Sequence, residues 1–219
     1  MSAWLLALAA AQTPATAPPP DYFASGSEPF WGLEIRGRRI TFSPSDGNPD
    51  IRATLPRRQA TRNGYRLVTR GFTVIVRRER CEDEALRSHS DTVTVRTRER
   101  DYPGCGGTLL PPATLDLTDW RIVAIDAARV DGDNYVMGFG EGRIDARAGC
   151  NRLSGPYTQR GNTFTAGLII STRMACPGPR MAYERAVARL LRGPVRISYP
   201  AGDVMVLTGS GVTVRLQRV

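Results

Sequence analysis

Short apolar runs that alternate with polar residues, each bounded by Gly, Pro, Asn or Asp, govern what this chain can become. In residues 91–98 (DTVTVRTR), Val93 and Val95 alternate with Thr92, Thr94 and Arg96. In residues 72–76 (FTVIV), positions 72, 74 and 76 share a face. A period of two is the strand period, because successive side chains point to opposite sides of a pleated backbone. Similar runs recur at 39–42, 65–69, 135–139, 141–146, 195–199, 204–208 and 212–217. The 22 Gly and 16 Pro supply the turns between them, for example at Arg70-Gly71 and Gly161-Asn162.

One stretch departs from that period. Tyr183, Ala186, Val187, Leu190 and Leu191 fall on one face at helical spacing, with Pro179 before them and Gly193-Pro194 after. The order is therefore strands, one helix, strands. It predicts an α+β, β-dominated chain of two small antiparallel β units, the second with one helix packed on the apolar face of a curved sheet. Pro111-Pro112 marks the division, giving an N-terminal β domain at 22–111 and a second domain at 115–219. Residues 1–20 read as a signal peptide and Pro-rich linker. Residues 4–11 (WLLALAAA) form a short apolar run with Ala9-x-Ala11 as the cleavage signal. Eight apolar residues fall short of the ~20 a helical membrane span requires.

The four cysteines fall two in each half. In an exported chain an even number reads as a disulfide framework, and pairing within halves gives Cys81–Cys105 and Cys150–Cys176. No C-x-x-C occurs and His89 is the single histidine, so no metal site is expected. His89 reads as an exposed residue of the polar loop 81–90 (CEDEALRSHS), which leaves no base to activate a Ser or Cys nucleophile. Gly138-x-Gly140-x-Gly142 lies between strands, where no helix N-terminus is available to hold a phosphate, so no cofactor is expected. The net charge is +9 and all 30 basic residues are Arg, spread over both halves. An exported chain without a basic block points away from nucleic acid. The alternation of Arg96, Arg98 and Arg100 suggests one outward strand face, which reads first as a solvated sheet face and alternatively as a site that meets an anionic envelope surface.

Certain residues of the second half carry a resemblance. Trp120 stands near its start, Gly149-Cys150-Asn151 is followed by Gly155-Pro156-Tyr157, then by Thr172-Arg173-Met174-Ala175-Cys176, with Glu184 in the helix and two closing apolar strands. In this order and spacing, residues 115–219 resemble the META domain of the HslJ-like heat-shock family. Glu28-Pro29-Phe30-Trp31, Cys81-Glu82-Asp83 and Gly104-Cys105 give residues 22–111 a weaker similarity to an uncharacterised domain of bacterial envelope proteins. The family resemblance implies a periplasmic or secreted envelope-stress protein with no catalytic residues, one that binds a protein or a small amphiphilic ligand, with the META sheet expected to supply the binding surface. The alternative is a periplasmic inhibitor of a protease or lysozyme, presented on a disulfide-stapled β scaffold. Neither reading fixes an oligomeric state.

Overall fold

The computed structural model describes residues 20–45 and 47–219. The leader and tether expected at 1–20 lie outside these residues except for Pro20. Ten strands precede residue 111: β1 (Tyr22–Ser27), β2 (Phe30–Arg36), β3 (Arg39–Pro44), β4 (Ile51–Thr54), β5 (Gln59–Thr61), β6 (Gly64–Val68), β7 (Thr73–Arg77), β8 (Cys81–Glu82), β9 (Ser88–Arg96) and β10 (Asp101–Leu110). They form one antiparallel sheet in the order β4-β3-β2-β1-β10-β9-β7-β6-β5, with β8 added beside β9. The sheet curls into a half-barrel. Its inner face is packed with Trp31, Leu33, Phe42, Leu67, Val74, Val93 and Tyr102. Trp31 donates its indole N–H to the Pro103 carbonyl at 2.9 Å, so its one polar atom is satisfied inside the core.

The second sheet contains β11 (Thr118–Ile125), β12 (Ala128–Arg129), β13 (Tyr135–Gly140), β14 (Arg143–Ala148), β15 (Arg152–Arg160), β16 (Thr163–Ala166), β17 (Ile170–Ser171), β18 (Pro194–Ala201), β19 (Val204–Gly209) and β20 (Val212–Arg218). The helix α1 (Arg180–Leu190) is the only one among the described residues. Strand β20 pairs back onto β11, with Trp120 opposite Arg218 and Ile122 opposite Leu216. The ring β11-β13-β14-β15-β16-β18-β19-β20 is thus a closed eight-stranded barrel. This corrects the expected α+β layering. Strands make up 58% of the chain, and once β20 closes on β11 no open sheet face remains for a helix to lie on. Instead α1 contributes Ala186, Val187 and Leu190 to the barrel core while touching β11, β14 and β20. The interior is filled by Trp120, Ile122, Met137, Phe139, Ile144, Phe164, Leu190 and Leu207 among others. Eight strands leave a bore that side chains alone fill.

The two sheets touch. A Cβ at Gly202, in the β18–β19 turn, would collide with the Leu109 carbonyl, so only glycine lets β10 approach there. Arg218 reaches across to donate to the Leu86 carbonyl at 3.0 Å, and Arg80 donates to the Pro111 carbonyl at 3.2 Å. No described helix is long and apolar enough to cross a membrane.

Candidate functional site

Gly149-Cys150-Asn151 forms the turn from β14 to β15. Gly149 has φ +152°, and a Cβ there would come within 2.9 Å of the Arg180 carbonyl, so the start of α1 rests directly on this turn. Asn151 is 1% exposed, and every hydrogen-bonding capacity of its amide is used. Its Oδ1 accepts from the Thr172 hydroxyl at 2.9 Å and from the Met174 N–H at 2.7 Å. Its Nδ2 donates to the Met174 carbonyl at 2.9 Å and to Glu184 Oε2 at 2.8 Å. One buried amide therefore ties the β14–β15 turn, the strap before α1 and α1 itself. Beside it Cys150 and Cys176 form a pair with Cα atoms 6.3 Å apart, within the range a disulfide spans. Cys81 and Cys105 form the other pair, with Cα atoms 5.4 Å apart.

The remaining motif residues also serve the scaffold. Trp120 is fully buried and donates to the Thr118 hydroxyl at 2.8 Å. Tyr157 packs edge-on to Phe139 and points its hydroxyl at Asp116. Burial and the Asp116 carboxylate push its phenol up to about 12. Of the strap residues, Met174 is used through its backbone while its side chain is 55% exposed, and Ala175 is exposed. Cys150, Cys176 and Glu184 bring three donor atoms within 4.8 Å of one another. Two of those donors are the paired sulfurs and the third accepts from Asn151, a poor set for a metal ion.

His89 departs from its reading as an exposed loop residue. It lies in β9, is 7% exposed, and sets Nε2 3.0 Å from Asp83 Oδ2. Burial alone would raise the Asp83 carboxyl. The hydrogen bonds from His89 and from the Arg87 backbone and side chain outweigh that and hold it below the usual carboxylate value. The neighbouring hydroxyl, Ser88, accepts from Arg80 at 2.8 Å, and strand alternation turns it to the opposite face from His89.

The arginine row is not one strand face. Arg96 ends β9 and is held by Asp101 through two hydrogen bonds of 2.9 and 2.8 Å. Arg98 and Arg100 lie in the following turn, whose backbone is bound by the Thr97 hydroxyl. The Arg100 guanidinium sits 5.9 Å from the Tyr102 ring centre.

A surface that the sequence did not single out lies on the outer side of the first sheet. There β1, β2 and β3 present Phe23, Phe30, Gly32 and Thr41, walled by the loop carrying Asp83 and Arg87, around a groove of ≈ 800 Å³. Phe23 is 44% exposed and Phe30 66% exposed. The available signal was the alternation in β2, which puts Trp31, Leu33 and Ile35 inward and so Phe30 outward.

A Trp opening a closed barrel, the Asn151 turn and the Thr172–Cys176 strap coincide with the region that comparison with protein families identifies. A META domain is found at residues 113–219. Two solved structures similar to this chain are both NMR structures. One is a protein from Burkholderia xenovorans at 24% identity and TM-score 0.41, covering 48% of this chain and 83% of that one. The second matches at 20% identity and TM-score 0.41, covering 46% of this chain and 87% of that one. The comparison with curated proteins gives no match. Within the META domain, Asn151 is the residue on which the motif converges.

Proposed function

We propose that this chain is a non-catalytic extracytoplasmic protein of two folding units, in which the META domain is a stapled scaffold and the first sheet presents the binding surface. It serves in the envelope stress response and takes a small amphiphilic ligand or an apolar protein segment. The observation that carries this reading is the pair Phe23 and Phe30, exposed over a groove of ≈ 800 Å³, set against a META barrel whose interior is already filled. A ligand enclosed by the barrel would have to displace residues such as Met137 and Phe164, which are fully buried. Two cysteine pairs at disulfide distance support an oxidising compartment. The satisfied Asn151 amide and the isolation of His89 from Ser88 support a role without turnover.

The test is intrinsic fluorescence of the full chain titrated with single-chain amphiphiles, comparing the natural chain with Phe30→Ser. Saturable binding weakened about tenfold by the substitution is expected, since burying one such ring contributes ~1.5–3 kcal/mol. Equal binding by both proteins, or hydrolytic turnover abolished by one substitution, would refute the reading. A second reading, inhibition of a protease or lysozyme, draws on the same Phe30. It projects from the β1–β2 hairpin, whose sheet carries the Cys81–Cys105 pair. A panel of such enzymes assayed with excess protein separates the two; inhibition that needs Phe30 favours the second.

A further inference from the structure

We infer that the outer face of the META barrel around β14, β15 and β17 docks on an anionic lipid surface. Strands β16 and β17 both run antiparallel to β15, but with one extra residue between Ala166, opposite Tyr157, and Ile170, opposite Ser154. This bulge throws Leu168 outward, where it is 82% exposed. Ile170 is 62% and Met174 55% exposed, so three aliphatic side chains protrude within seven residues.

Cross-strand register places charge beside them. Partners across antiparallel strands share a face. One outward row is therefore Asp145, Ser154 and Ile170, and the next is Arg147 and Arg152. Arg143 donates to Ser154 at 3.1 Å, which holds its guanidinium next to the residue opposite Ile170. Arg173 stands exposed between Ile170 and Met174 in the chain. Against Arg143, Arg147, Arg152 and Arg173 this patch sets two carboxylates: Asp145, which Arg152 binds at 3.0 Å, and Asp119, which lies across Gly138 from Asp145 and lines the same hollow as Arg147 and Arg152. These six side chains thus carry net +2.

A bilayer suits this arrangement better than a folded partner. The outside of a closed barrel is convex, and its apolar side chains stand out singly, so a rigid protein would need a matching hollow for each. A headgroup layer deforms around them, takes the aliphatic tips into its acyl boundary and meets the guanidinium groups with phosphates. The inference is independent of the Phe23–Phe30 groove, which lies on the other sheet.

The experiment is co-sedimentation of the full chain with vesicles of phosphatidylcholine alone and of phosphatidylcholine mixed with phosphatidylglycerol. Binding is expected only to the mixed vesicles and should be lost towards ~1 M salt, where charges screen within ~3 Å. Leu168→Ser with Ile170→Ser should lower partitioning about tenfold or more. Arg147→Gln with Arg173→Gln should lower it roughly fivefold per charge removed. All these residues are exposed, and unchanged near-ultraviolet circular dichroism will show that the core is intact. Absence of binding to the mixed vesicles at low salt overturns the inference. So does binding that survives both double substitutions, or binding lost instead on Arg98→Gln with Arg100→Gln. The same Phe30→Ser protein should bind vesicles normally, which separates failure here from failure of the groove reading.

Discussion

Asn151 ties three segments of the META domain together through four hydrogen bonds. Truncating it to Ala would leave the Met174 N–H, the Met174 carbonyl and the Glu184 carboxylate short of partners in a part-buried setting. We expect Asn151→Ala to cost about 3 kcal/mol or more, read as a fall in Tm of roughly 6–12 °C. Thr172→Val, which removes one hydroxyl donor from an exposed residue, should cost about 1 kcal/mol. Asp83 gives a test in pH. Its carboxyl is held below its usual value when folded, so its stabilising contribution is complete above the unfolded value near 4 and is lost as pH falls through the lower folded value. Asp83→Asn should therefore lower Tm by several degrees at neutral pH, corresponding to about 1–2 kcal/mol, and the difference should vanish in acid. The importance of Asn151 was legible as a motif position, but its partners were not. Those partners lie 23 and 33 residues away, beyond the reach of any local pattern. His89 was misplaced because its neighbours are polar, and polarity marks a loop only when no sheet continues through it.

Among the elements, strands with clean alternation, such as β7 and β9, were readable. Strands β1 (YFASGS) and β10 (DYPGCGGTLL) were not, because Gly, Ser and Pro have low strand propensity. Packing explains their composition. A Cβ at Gly104 would lie 2.7 Å from Trp31 Cζ2, so the indole occupies space that only glycine leaves open. The helix was found in place, yet its role was misjudged, since spacing reports which face is apolar and not what that face meets. The strap joining β17 to α1 has no hydrophobic period at all and depends on the Asn151 bonds and on Cys176. Replacing Cys150 and Cys176 together by Ala opens a 26-residue separation and should cost roughly 3 kcal/mol. Hydrogen exchange should then rise in residues 170–178 ahead of the barrel strands.

The whole molecule depends on two features that sequence patterns cannot display. One is the closure of the META barrel, in which Trp120 pairs with Arg218 almost a hundred residues later. No local period specifies such a partner, and the alternative of an open sheet with a helix over it satisfies the same pattern. The other is the contact between sheets, which is closest where Gly202 lacks a side chain and is supported by Arg218 on the Leu86 carbonyl. Gly202→Val should separate the two units without unfolding either. Limited proteolysis would then cut faster around 111–114, while the near-ultraviolet signal of buried Trp31 and Trp120 persists.

Because β11 and β20 are hydrogen-bonded neighbours, and Val219 donates its N–H to the Asp119 carbonyl at 3.1 Å, the two ends of the META domain lie side by side. A circular permutant of residues 113–219, with a short bridge joining those ends and new termini cut into the Gly161-Asn162 turn, should fold to the same ring of strands. The order in which the strands are synthesised would change while every pairing stayed available.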